Sequence, residues 1–94
     1  MLVLPAELTH NQATASLGML MHGLRANREP TVVVDARALT VFDSSALAVL
    51  LECRREALSE GKQFAVQGLP QALAAMATLY GVDVLLAPPP AAHA

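Results

Sequence analysis

The stretch TVVVDARALTVFDSSALAVLLECRREALSEGKQFAV (residues 31–66) decides the fold. Its first five residues form a continuous β-branched run, the pattern of a strand buried on both faces. Residues 36–42 break that pattern and read as a loop. From residue 44 the apolar positions recur at helical spacing as far as residue 59, and Gly61 follows as a natural C′ residue. Phe64–Gln67 alternates weakly and reads as a strand. Strand, helix and strand in so short a span form the unit from which α/β sheets are built.

The flanks extend this unit. Upstream, Leu2–Leu4 is a short strand candidate that ends at Pro5. Leu17, Leu20, Met21 and Leu24 predict a helix from about His10 to Arg25, capped by Thr9 or Asn11 and interrupted by Gly18 and Gly23. Downstream, Gly68 turns the chain and Pro70 suits the first turn of a new helix. Leu73, Met76, Ala77 and Tyr80 give that helix one apolar face, and Gly81 ends it. Val82–Leu86 is expected to hold a last strand, VLL. The predicted order is β-α-β-α-β-α-β. The fold class is α/β, a small mixed β-sheet with helices packed mainly on one side. One sheet face is then thinly covered, which makes it a candidate homodimer contact. The domain is expected over 1–87, with a disordered Pro/Ala-rich tail at 88–94.

Composition narrows the function. Of the 94 residues 54% are apolar but only 3% aromatic, so the core is expected to consist of Leu, Val, Ala and Met. Net charge is −2 and the six Lys and Arg form no run, which argues against a nucleic-acid partner. No apolar stretch approaches the ~20 residues of a membrane span, so no direct membrane insertion is expected. The opening MLVLP lacks the charged start of a signal peptide. The single Cys53 admits no internal disulfide and lies on a buried helical stripe, where it reads as a small hydrophobe. These features together point to a cytoplasmic protein. His10, His22 and His93 have no ligand spacing, so no metal site is expected. No Walker motif is present, and no cofactor is expected. Asp35 and Asp43 flank one loop without an evident His or Lys partner, so loop and cap roles are expected of them, and no catalytic residue is assigned.

The sharper question lies at VFDSSALAVLLECRREAL (41–58). Asp43 is the natural N-cap, and Ser44 and Ser45 are the first helical residues. A phosphate there would meet free N–H groups and the positive end of the helix dipole, opposed by the charge of Asp43. At about 100° per residue, Ala46, Leu50, Cys53 and Ala57 form one apolar stripe, widened by Leu47, Leu51 and Leu58. Ser45, Ala48, Glu52, Glu56 and Ser59 occupy the opposite face, and Ser44, Leu51 and Arg55 one edge. Arg54 falls inside the apolar arc, where a charge must snorkel or pair. Part of that arc is therefore a candidate partner surface. The plain alternative is that both serines are ordinary helix-start residues.

The block VVVDARALTVFDSSALAVLLECRREALSEGKQFAVQGLP resembles the core of STAS domains (sulfate transporter and anti-sigma-factor antagonist). In that family a buried strand leads to a loop carrying D-S-[ST]-G or D-T-G-G and then to a Leu-rich helix. The resemblance spans about residues 2 to 87. Two departures stand out: Ala46 replaces the usual Gly, and only MLVLP precedes the first predicted helix where many members have one more strand.

The resemblance implies a non-enzymatic regulatory role, in one of two branches. LVLPAELTH and FAVQGLPQALAAMATLYGVDVLL, with Leu73, Leu79 and Tyr80, are similar to the small STAS subunit of the lipid-asymmetry ABC transporter, which moves phospholipid between Gram-negative membranes. That branch implies docking on the ATPase subunit and, through it, on the permease, peripheral to the inner membrane. The implied contact residues are Asp43, Ser44, Ser45, Leu47, Leu51, Arg54 and Arg55. The D-S-S pair is more similar to anti-sigma-factor antagonists, in which a kinase-like partner phosphorylates the position held here by Ser45.

Overall fold

The computed structural model describes residues 1–88. Two short strands, β1 (Leu2–Val3) and β2 (Glu7–Leu8), precede helix α1 (Ala13–Ala26). Strands β3 (Thr31–Asp35) and β4 (Val41–Phe42), helix α2 (Ser44–Ser59), strand β5 (Gln63–Gln67) and helix α3 (Gln71–Leu79) follow, and a 3-10 turn spans Asp83–Leu86. The tail expected to be disordered lies, from residue 89 onward, outside the described residues.

The strands form one sheet in the order β1-β3-β5 and a separate pair β2-β4. Leu2 stands opposite Val34, and Val34 opposite Val66. All described pairings are parallel, where a mixed sheet was expected. The α/β class itself stands. The chain steps from β1 to β3 to β5 in one direction, and right-handed crossovers then place the connecting helices on one face. Val32, Val34 and Val66 are accordingly buried with Leu20, Leu24, Leu50, Leu73 and Leu86 in a single core. On the other face Val33 is only half-buried and Val3 is 62% exposed. Leu, Val, Ala and Cys53 build the core. The methionines do not: Met1 and Met19 are exposed, and Met21 and Met76 only half-buried. Met76 packs against the margin of that core.

Three boundaries differ from the sequence reading. Helix α1 begins at Ala13, because the Gln12 side chain accepts hydrogen bonds from the N–H and hydroxyl of Thr9 and holds residues 9–12 in a turn. Residues 41–42, read as loop, pair with Glu7–Leu8. The expected last strand is a 3-10 turn. Helix α3 ends in a Schellman motif, with Val82 N–H on the Ala77 carbonyl and Gly81 N–H on that of Thr78. Leu85 N–H then closes back on Val82, so the edge of β5 gains one bond, from Val66 N–H to the Ala87 carbonyl.

Helix α2 keeps its predicted bounds and ends in the same motif, with Gly61 at φ +74. Gly68 also has positive φ, +70, and a Cβ there would run into the aliphatic part of Arg37. Gly68→Ala should therefore cost about 1–3 kcal/mol for the backbone alone, and more through the displaced Arg37. Gly61→Ala meets open space and should lose only the backbone part. Urea titration of the two variants checks the difference. Equal losses would remove Arg37 from the account.

Candidate partner-docking site

The β2–β4 pairing sets residues 7–8 beside 41–42, which carries the turn at 9–12 to the start of α2. Asp43 occupies the N-cap with an extended backbone at φ −134. One carboxylate oxygen accepts the Ser45 N–H at 2.8 Å and the other the His10 N–H at 3.1 Å. The His10 Nδ1 lies 3.4 Å from the second oxygen. These bonds, the Ser45 N–H foremost and then the His10 N–H, hold the Asp43 carboxyl below the usual carboxylate range. The cap expected from sequence is present. The sequence reading missed His10 as its partner, 33 residues distant, because only the short β2–β4 ladder brings them together.

Aspartate, histidine and serine together invite comparison with a hydrolytic triad, but the order is wrong. A triad needs the imidazole between carboxylate and hydroxyl. Here the carboxylate stands between, and among the described residues no hydrogen bond joins the His10 ring to a serine hydroxyl. The arrangement fixes a helix start and presents its first turn.

Ser44 is exposed there, and Ser45 is half-buried. Ser45 joins Ala13, Thr14, Leu17, Ala48, Val49 and Glu52 in lining a groove of about 190 Å³ between the N-terminal parts of α1 and α2. Ala46, the family's usual Gly position, is fully buried. Of the other expected contact residues, Leu51 and Arg54 are half-buried and Arg55 is exposed, 3.8 Å from Glu52. Arg54 makes no ion pair among the described residues, and snorkelling is what its position in the apolar arc demands. Leu47 corrects the expected contact surface: at 2% exposure it belongs to the core and presents nothing to a partner. Helix α2 is packed against by both α1 and α3, so its buried arc is wider than its own stripe implies. Glu56, expected on the wet face, is half-buried and accepts a hydrogen bond from Arg25 on α1 at 3.1 Å.

Two titratable groups outside this site serve the fold. Burial pushes the Cys53 thiol up to about 11, with the charge of Glu52 adding to it, so this cysteine is an inert hydrophobe. Asp35 has the partner that the sequence reading missed. Arg37 donates to its two carboxylate oxygens at 2.9 and 2.8 Å, and the Arg37 N–H adds a third bond at 2.9 Å. The Arg37 side-chain bond is the main reason that the Asp35 pKa falls from 3.8 to about 2. A carboxylate held more acidic in the folded state adds stability above its unfolded pKa and loses it on acidification. The contribution should be intact above 3.8 and vanish as pH falls toward 2. Melting of wild type and Asp35→Asn across that range checks it: the two curves should converge at the acid end. A constant gap would overturn it.

The family model described as "Mlab, STAS domain" matches residues 1–87. No curated protein matches the chain.

Proposed function

The chain belongs to the STAS domain family, and on that premise we propose that it is the accessory subunit of a phospholipid-transporting ABC complex, docked on the cytosolic ATPase. STAS domains are in general binding and regulatory modules rather than enzymes. The observation that carries the finer reading is the Mlab description of the matched family, which agrees with the lipid-asymmetry branch that the sequence resembles. The exposed Ser44 at the Asp43-capped start of α2 supports this end of the domain as the contact. Ser45, Leu51, Arg54 and Arg55 would border it.

The subunit would act by differential binding. A domain that prefers the active or assembled ATPase shifts that population in proportion to its preference. None of the helices of the described residues is long and apolar enough to cross a membrane. In this reading the subunit reaches the inner membrane through its partner and takes up no cofactor of its own. Co-expression of the tagged chain with the ATPase and permease tests the proposal. The ATPase is expected to co-purify and to hydrolyse ATP at a changed rate when the chain is present. An ATPase that neither binds the chain nor responds to it would overturn the reading.

The D-S-S sequence favours a second reading, an anti-sigma-factor antagonist released by phosphate on Ser45. The Asp43 carboxylate beside Ser45 opposes a second negative charge at that point. Incubation with an anti-sigma kinase and ATP separates the two readings. Only the second predicts phosphate uptake that Ser45→Ala abolishes.

A further inference from the structure

We propose that the partner seats one apolar side chain in the groove between the N-terminal parts of α1 and α2, and that a lysine or arginine next to it pairs with Glu52. The proposal rests on the docking reading above and names the chemistry of the segment that docks.

Both helices begin at the same end of the molecule, joined by the bond from His10 N–H to Asp43. In the second turns that follow, the half-buried Leu17 and the buried Val49 form an apolar floor. The residues around them, Ala13, Ser45 and Ala48, are too short to cover it. An opening of about 190 Å³ is smaller than the roughly 300 Å³ at which small-molecule pockets begin, and with such a lining it suits a single branched or sulfur-containing side chain.

Charge then selects the neighbour of that side chain. Glu52 lines the groove, its side chain half in solvent and held only by Arg55 at 3.8 Å. The Asp43 carboxylate accepts the backbone N–H of Ser45, one of the lining residues, at 2.8 Å and brings a second negative charge beside the groove. Arg55 is the only Lys or Arg paired with either carboxylate among the described residues. A partner cation would pair with Glu52 beside this second charge, while an acidic segment would be repelled.

Filling the groove tests the proposal, with the transporter ATPase as the probe. Ala48 is exposed, so Ala48→Leu keeps a good helix former and should leave the melting curve unchanged. It is expected to weaken ATPase binding at least tenfold. Glu52→Lys is expected to weaken it as well, and the loss should shrink as salt rises. Ala75→Leu, at an exposed position on α3, should bind as wild type. Wild-type binding by Ala48→Leu, with binding lost in Ser44→Arg, overturns the groove and leaves the docking surface standing. Wild-type binding by Ser44→Arg as well removes the docking surface itself. Equal losses in Ala48→Leu and Ala75→Leu also overturn the groove, since a general loss of integrity would then explain both.

Discussion

Ser44→Arg is expected to weaken the complex with the transporter ATPase about a hundredfold while the isolated domain unfolds at nearly the wild-type urea concentration. Ser44 is exposed on the first turn of α2. Its replacement therefore removes no buried contact. A cation at a helix start is unfavourable by roughly 0.3–1 kcal/mol, and the neighbouring Asp43 carboxylate offsets part of that. At the interface the balance is different. On the docking reading a long cation would stand where a small hydroxyl meets the partner, and it would have to be desolvated or pushed aside. Two decades in Kd amount to about 2.8 kcal/mol, within reach of one unpaired buried charge. Titration calorimetry with the ATPase, beside urea unfolding of the free domain, checks both halves. Retained affinity would remove Ser44 from the contact, and a shared loss of affinity and stability would make the effect one of folding.

The cap residue at the centre of this prediction was legible in sequence because its determinants are local. Asp43 before an apolar periodic run, and Gly61 after it, define α2 by short-range chemistry, and the helix runs between them as expected. The β-branched run at residues 31–34 declared its strand in the same way, although only one of its faces is fully buried, with Val33 half-buried on the other. What escaped is what depends on partners far along the chain. The β2–β4 pairing consists of two residues on each side, too few for any period to register. His10 reaches Asp43 only through that pairing. The VLL run has strand-forming composition, but Gly81 and the Schellman motif leave it starting in a turn, and its local hydrogen bond from Leu85 to Val82 prevails over pairing with β5. Arg37 was a loop residue until the fold set its guanidinium on Asp35 and its aliphatic stem against Gly68.

Leu47 shows the same limit within a helix that was otherwise well read. It is one turn from Leu50 and Leu51, at the margin of the apolar stripe, so helical geometry alone leaves it on either side of the boundary. In the folded domain α1 and α3 both pack against α2, and Leu47 is only 2% exposed. Leu47→Ala should accordingly cost about 2–5 kcal/mol, the range for a buried leucine whose cavity only partly collapses. A domain of this size has roughly 5–15 kcal/mol in all, and each kcal/mol shifts the melting temperature of such a domain by about 4–8 °C. Loss of a large part of the melting temperature is the expected result, with an unchanged dependence on urea concentration. Leu58→Ala, at a position 47% exposed on the same helix, should stay within about 0.5 kcal/mol of wild type. Affinity for the ATPase separates the two roles once it is measured at a temperature where Leu47→Ala remains folded. A core residue leaves that affinity nearly unchanged. Wild-type stability with lost affinity would return Leu47 to the contact surface, and would require α2 to present its Leu47 side to the partner.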